Sequence, residues 1–393
     1  MLSEGILDGV RILDFTWVLA GPYATRILAD FGAEVIKVQP LLPQAEDEFS
    51  RGYYNTWNRN KLGITLNLNK PQGVALAKRL VGISDAVVEN FTPRVMTNWG
   101  LDYPSLKKLK PDLIMLSMSN MGNTGPWRDY VGFGPTVQTF SGITYLTSFP
   151  GKPPIGLGTS YADHIAGLLA CLALLGAAEY RQRTGEGQYI DVSQVEAMSS
   201  LLGSAILEYI VNGKSPEPVG NSSTQAAPHN IYRCQGDDRW CAIAVFSDEE
   251  WQGFQRALGN PPWAKDKRFA TLSGRLENAD ELDRLVGEWA REHTAEEVMT
   301  LLQRQGVAAG VVQNASDLAN DSQLKERGFF IKLDHPELGK TISDATPIKL
   351  SDTPAKYSRA APVLGRDNDY VYKRLLGMSE DEMVELRRQG VIS

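Results

Sequence analysis

"GVRILDFTWVLAGPYATRILADFGAEVIKV", residues 9–38, reads as a strand (VRILDF), a turn (TWVLAGP), a helix (YATRILADFG) and a second strand (AEVIKV). That alternation belongs to a βαβ unit with parallel strands. Outward from it the pattern repeats. "GITLNL" is a strand, "PQGVALAKRLVGI" a helix with Pro71 near its start, "DAVVENF" a strand, and "DLIMLSMS" another after the short helical "YPSLKKLK". The expected class is α/β, with a Rossmann-like half at the start of the chain.

Further along, residues 120–160 are rich in Gly and Pro ("GNTGPW", "GFGP", "GKPPIGLG"), a composition suited to ordered loops near a ligand or a second subunit. The most apolar helix follows, "YADHIAGLLACLALLGAAEYR", then a strand "QYIDV" and a helix "EAMSSLLGSAILEYI". Residues 213–229 have the Pro, Ser and Asn content of a linker. A smaller α/β unit comes next, with the strands "NIYRC" and "RWCAIAV" around "QGDD" and a helix opened by a capping box at Ser247 and Glu250. Two further helices, the second with a capping box from Thr294 to Glu297, lead to the strand "VAAGVVQ".

At 393 residues with 42% hydrophobic side chains, the chain exceeds what one core usually organises, so two domains are expected. A net charge of −7 without a long basic run argues against nucleic acid or an anionic membrane as partner. Three cysteines, an odd number without a CxxC pair, suggest neither a disulfide framework nor a zinc site. The start of the chain is acidic and moves straight into a strand pattern, and the apolar stretch 165–178 is short of a bilayer span. A cytoplasmic protein in a reducing compartment is expected.

Several positions carry candidate chemistry. Gly21 stands where a strand end meets a helix start and backbone approaches a phosphate or amide, the rival reading being a tight turn with Pro22 at the first helical position. A G-x-G-x-x-G run is absent, and Gln39 stands where a dinucleotide fold wants an acid, so a nicotinamide dehydrogenase is disfavoured. Asp163 falls in the first turn of the long apolar helix, where free N–H groups and the helix dipole favour an ionised carboxylate with a lowered pKa. Gly167, Ala170 and Leu174 share its face, leaving room for close packing or for substrate. Ser160 three residues earlier allows a capping role instead, and the spacing does not separate the two readings. His164 points to another face. Arg51, Arg59, Lys61, Lys70 and Arg94 lie around the first sheet as possible phosphate contacts, and Asn90 and Phe91 stand at a strand's carboxyl end, where open α/β sheets bind ligands.

Together these segments resemble the class III CoA-transferases, the family of formyl-CoA, carnitine and bile-acid CoA-transferases. The likeness runs through nearly the whole chain, from "ILDFTWVLAGPYATRILADFGAEVIKV" and "WNRNKLGITLNLNKPQG" to "SDAVVENFTPRVMTNWGLDYPSLKKLKPDLI", "NTGPW", "YADHIAGLLACLALLGAAEYRQRTGEGQYIDVS", "PVLG" and "LLGMSEDEMVELRRQGVI". It implies that Asp163, in the family's D-x-x-x-G helix start, is a nucleophile forming aspartyl anhydride and aspartyl-CoA thioester intermediates. By the same resemblance Trp17, Val18, Ala20, Leu66, Asn90 and Phe91, with Arg94, contact coenzyme A. CoA thioester is then a substrate, with no permanently bound cofactor and no metal. The implied architecture is a large Rossmann-like domain from both chain ends (1–200 with 335–393), a linker at 201–228 and a small inserted α/β domain at 229–334. The implied assembly is an interlaced dimer, with itself or with a related subunit.

Departures bear on the substrate. Gln39-Pro40 replaces the Glu and basic residue of many members, a phosphate contact that Arg51 is expected to supply instead; Leu19 replaces a loop Gln or His; and no Gly-rich flap is visible around "VFSDEEW". This argues against a formyl-CoA:oxalate enzyme. "GFGPTVQTFSGITYL", with Gly134 where an acid is frequent, resembles members acting on dicarboxylic or aromatic acids, nearest the benzylsuccinate CoA-transferases, with succinyl-CoA as an example of the donor. Backbone donors for the oxyanions are expected from Gly132 to Gly134 or from a small-domain loop of the partner. The rivals are an acyl-CoA racemase, whose G-H-D histidine is replaced here by Gly-Phe-Gly-Pro at 132–135, and a CoA-binding subunit without its own chemistry.

Overall fold

The structure is a computed structural model that describes residues 5–42 and 47–393. The reading of the acidic chain start rests in part on residues 1–4, outside the described residues. The chain forms two compact units, one of Met1–Thr144, Gly156–Ser215 and Leu324–Ser393, the other of Tyr145–Ile155 and Pro216–Gln323.

The first unit is built on β1 (Arg11–Asp14), β2 (Glu34–Gln39), β3 (Leu62–Thr65), β4 (Ala86–Glu89), β5 (Ile114–Ser119) and β6 (Tyr189–Ser193). All neighbours are parallel, in the order β3-β2-β1-β4-β5-β6. Because side chains alternate along a strand, each strand supplies both faces of the sheet. Leu13, Ile36, Ile64, Val87 and Met115 enter one core, with Leu76 and Leu80 of α3 (Pro71–Gly82) and the C-terminal Tyr372, Met383 and Val391. Ile12, Val35, Val88 and Leu116 enter the other, against helices on the opposite face.

Those helices are α1 (Ala20–Asp30), which follows β1, and the long helix discussed below. Between β2 and β3 lies α2 (Glu48–Asn58), capped by Asp47. α4 (Gly134–Phe140) opens from the Gly-rich region and precedes α5 (Tyr161–Thr184), which ends at Gly185 with φ 76°, the left-handed stop that glycine adopts without a Cβ penalty. One face of α5 is small: Ala166, Ala170, Cys171 and Leu174 pack into the second core beside Ala24 and Leu28 of α1. By length and composition α5 is apolar enough to cross a membrane. Its other face leaves Leu168, Leu172 and Leu175 exposed. Of the segment 201–228 expected as a linker, residues 203–212 are helical, as α6 (Gly203–Asn212).

In the second unit β7 (His229–Arg233), β8 (Trp240–Ala244) and β9 (Ala308–Val311) form an antiparallel sheet. Tyr232, Cys241 and Ile243 pack with Trp251, Phe254, Leu282, Val286, Val298 and Leu302. The Thr294–Glu297 capping box is present. At Ser247 the hydroxyl accepts the Glu250 N–H, but the Glu250 carboxylate accepts from Phe246 rather than Ser247, so that box is open by one residue. The hairpin of β10 (Phe330–His335) and β11 (Gly339–Asp344) returns to the first unit, where Asp344 pairs with Arg26 and Arg59.

Candidate active site

The strand order reverses between β1 and β4, so the carboxyl ends of these two strands flank the crevice where open α/β sheets bind ligands. Thr16 to Leu19 leave β1 there, and Asn90 and Phe91 leave β4. The two ends are tied together: the Trp17 N–H donates to Asn90 Oδ1 at 2.9 Å and Asn90 Nδ2 donates to the Trp17 carbonyl at 3.0 Å. Trp17, 42% exposed, lies 6.4 Å from the Phe91 ring, which meets Trp99 edge-on at 5.6 Å. Val18 adopts φ 61°. A β-branched side chain in the left-handed region is strained, on the order of 1–2 kcal/mol, and persists only where neighbours hold it.

Gly21 is required for a different reason from a ligand's approach. A Cβ there would meet the Thr16 side chain at 2.3 Å, so the missing side chain lets the turn fold back on itself. Pro22 sits at the third helical position rather than the first, where an absent N–H is equally harmless.

The predicted contacts differ in kind. Trp17, Val18, Asn90 and Phe91 gather at the crevice. Ala20 is buried at the start of α1, and Leu66 is 3% exposed, its side chain in the core cluster that holds Phe15. Arg94 is exposed, 3.5 Å from Asp129. Of the basic candidates, Arg59 and Lys61 are fully buried in ion pairs with Asp30 and Asp14, so they are unavailable to phosphate. Lys70 donates to the Gln389 carbonyl, and Arg51 is exposed on α2.

Asp163 stands one turn before Gly167, and a Cβ on Gly167 would meet the Ala20 carbonyl at 2.9 Å. The small face is therefore used for close packing on the start of α1, one turn along the helix from the carboxylate. Opposite it is Gly134 at the first position of α4: a Cβ there would come within 2.4 Å of Asp163 Oδ2. Asp163 is 9% exposed. Burial pushes its pKa up to about 6, against the lowering influence of His164 and the Ser160 hydroxyl. This reverses the expected direction. The dipole argument considers only the carboxylate's own helix, whereas burial, with Gly134 of α4 against the carboxylate, adds desolvation. At pH 7 roughly nine in ten such carboxyls are still ionised. Ser160 makes no side-chain capping hydrogen bond to the α5 backbone; its hydroxyl bonds the Asp163 carboxylate instead.

His164 packs edge-on against Tyr23 and Trp57, at 5.0 and 5.4 Å, with Nδ1 2.8 Å from the Ser160 carbonyl. Arg26 lies over both rings. Among the described residues no group of three or more His, Cys, Asp or Glu side chains is placed to hold a metal ion.

Two charged sites went unread in the sequence. Asp14, at the end of β1, is buried between Lys37 (3.2 Å) and Lys61 (3.1 Å). Glu89, at the end of β4, accepts the Phe91 N–H at 2.7 Å, and burial pushes its pKa up to about 7. The available signal was a charge inside each apolar strand run, since charges that must be buried are paired or hydrogen-bonded.

Comparison with known proteins gives a consistent result. Residues 7–368 match the protein family described as CoA-transferase family III. The chain is similar to succinyl-CoA–D-citramalate CoA-transferase of Chloroflexus aurantiacus, 38% identical over 396 residues and covering 98% of each chain. It is 34% identical over 396 residues to the succinyl-CoA–L-malate CoA-transferase alpha subunit of Chloroflexus aurantiacus, covering 98% of this chain and 92% of that one. A crystal structure of a CAIB/BAIF family protein from Brucella suis superposes with a TM-score of 0.86 at 32% identity, covering 95% of this chain and all of the other.

Proposed function

The chain belongs to CoA-transferase family III, and on that premise we propose that Asp163 is the nucleophile that carries first an acyl group and then CoA. The supporting observation is its setting: a buried carboxylate with no Lys or Arg ion-pair partner among the described residues, facing the side-chain-free Gly134 and lying one turn before Gly167, where the helix packs on the start of α1. Desolvation without a cation makes a carboxylate more basic and a better nucleophile.

An Asp163 oxygen attacks the thioester carbonyl of the donor, and collapse of the tetrahedral state breaks the C–S bond to give a mixed anhydride and CoA thiolate. The thiolate attacks the aspartyl carbonyl, forming aspartyl-CoA thioester and releasing the donor carboxylate. The acceptor carboxylate attacks that thioester, expels the thiolate and forms a second anhydride, whose acyl carbonyl the thiolate then takes. Asp163 is regenerated with no net proton or redox change. Gly134, in the first turn of α4 where N–H groups lack helical partners, is the proposed oxyanion donor.

The two curated relatives support succinyl-CoA as donor and a small dicarboxylic acid as acceptor, the dicarboxylic branch of the expectation from sequence. CoA is proposed to lie along Trp17, Val18, Ala20, Asn90 and Phe91, with Arg94 and Arg51 as the exposed cations for its phosphates. The exposed leucines of α5, and α6 with Ile206, Leu207, Ile210 and Val211 all exposed, support subunit contact in an interlaced dimer with itself or a related chain.

The test is covalent. The purified chain alone, mixed with succinyl-CoA and quenched by denaturation, is expected to carry a CoA mass on the Asp163 peptide, absent in D163A. An unmodified peptide with every donor in a succinyl-, acetyl- and aryl-CoA panel overturns the nucleophile and favours a binding subunit.

A further inference from the structure

The turn between β1 and α1 is held from beneath by a cluster that the transfer chemistry does not use. Asp14 Oδ1 accepts the Thr16 N–H at 2.8 Å and the Thr16 hydroxyl, and Oδ2 accepts the Thr25 hydroxyl at 2.7 Å. Lys37 Nζ donates to Oδ1 and to the Thr16 carbonyl. Lys61 Nζ donates to Oδ2, to the Pro22 carbonyl at 3.0 Å and to Asn58 Oδ1 at 2.9 Å. One carboxylate and two ammoniums thus fasten the turn on both sides, at Thr16 before it and at Pro22 and Thr25 after it. Asn90 grips Trp17 between these anchors, and Val18 holds its left-handed conformation there.

Stability alone does not explain this arrangement. A buried ion pair is close to neutral for folding compared with well-packed apolar residues, and a second buried ammonium adds a desolvation cost of several kcal/mol. Among the described residues Asp14 is the only carboxylate paired with either lysine. Burial lowers the pKa of both lysines, that of Lys61 to about 7, and the cluster spends its hydrogen bonds on that turn's backbone. Ordering a loop before its ligand arrives removes an entropy cost from binding, and a strained turn is the one that most needs it.

We propose that Lys37 is a positioning residue for the CoA thioester: with Asp14 and Lys61 it clamps the Thr16–Pro22 turn in the conformation that receives the ligand. This rests on the reading that Trp17 and Val18 contact CoA. The clamp acts through the backbone and touches no reacting atom, so it governs affinity for the CoA moiety rather than the chemical step.

The experiment uses the full-length protein and desulfo-CoA, an unreactive analogue, titrated calorimetrically, together with KM and kcat for succinyl-CoA. Lys37→Met leaves a one-to-one Asp14–Lys61 pair. It is expected to weaken desulfo-CoA binding and raise KM by about tenfold or more while kcat falls less than about threefold, the pattern of lost binding rather than lost chemistry. Lys37→Arg, which restores the charge, is expected to recover at least part of the affinity. Asn90→Ala releases the opposite grip, and the double variant K37M/N90A is expected to lose less than the product of the two single losses, because both hold one turn.

Wild-type affinity and KM in K37M overturn the proposal, as does a fall in kcat and melting temperature with KM unchanged. Should K37M fail to fold, Thr25→Val, which removes one hydrogen bond to Asp14, reads the same split at about threefold, and its absence overturns the proposal equally. Trp17→Ala separates the two levels. If it too leaves desulfo-CoA binding intact, the CoA-site reading has failed; if it weakens binding and K37M does not, only the role of Lys37 has.

Discussion

Asp14 and Asp163 are both buried carboxylates of the first unit, and their surroundings drive their pKa values in opposite directions. For each, burial is the largest influence and raises the pKa. At Asp14 the ammoniums of Lys37 and Lys61, with the Thr16 and Thr25 hydroxyls, outweigh burial and hold the carboxyl well below the usual range. At Asp163 only His164 and the Ser160 hydroxyl oppose burial, and the pKa stays up at about 6. The difference teaches what separates a staple from a candidate nucleophile in this fold. Depth is common to both; the cations decide which carboxylate is committed to the backbone and which keeps its lone pairs for a ligand.

The comparison breaks most sharply under one substitution made twice. Asp163→Asn is expected to abolish transfer, by roughly 10⁴-fold or more, because an amide is no nucleophile. The same change is expected to stabilise the fold by up to roughly 3 kcal/mol at pH 7, the cost of ionising a carboxyl whose pKa rises from 3.8 to about 6. Asp14→Asn is expected to destabilise by about 3–5 kcal/mol, since it leaves two buried lysines without their carboxylate. Denaturant unfolding beside CoA-ester chromatography reads both, and shifts of the same sign in the two variants would remove the distinction.

A second way to sharpen it is Gly134→Ala. The new methyl would sit 2.4 Å from Asp163 Oδ2, so the carboxylate must turn away. Turnover is expected to drop about 100-fold with the melting temperature little changed, the scale for misplacing a reacting group by about an ångström. Near-wild-type turnover would show that the carboxylate does not act from the position it occupies beside Gly134.

The smallest expected effect is in pH. Transfer is expected to fall as the pH drops through about 6, where Asp163 protonates. The stability contributions run in opposite senses. Asp163 titrates higher in the folded chain, so its relative stabilisation is complete below about pH 4 and is lost as the pH rises through about 6. Asp14 titrates lower, so its contribution is present above about pH 4 and is lost as the pH falls below that. Comparing D163N with wild type across pH 4 to 8 isolates the first; a stability difference that does not change with pH would contradict the raised pKa.

Much of the fold was legible. The β1–α1–β2 stretch, the apolar runs of β4 and β5, and the capping box at Thr294 all follow from local periodicity and short-range hydrogen bonding. Asp163 was legible as a carboxylate in a first helical turn, but the direction of its pKa was not, because Gly134, which faces it, comes from another part of the chain. Gly21 was legible as a required glycine, yet the atom it makes room for is Thr16 of its own turn. The Asp14–Lys37–Lys61 cluster escaped because Asp14 and Lys37 sit on β1 and β2 and Lys61 just before β3, so they meet only once the three strands lie side by side.

By itself, then, the sequence determined the alternation of elements, the class of the fold, and which residues have the chemistry to act: periodicity and capping depend on neighbours a few residues away. Tertiary structure alone decided which carboxylate is neutralised by ammoniums and which is left unpaired, and that Trp17 and Asn90, 73 residues apart, grip one another. Electrostatics and desolvation depend on distance in space, and that distance does not exist until the sheet order brings the strand ends together.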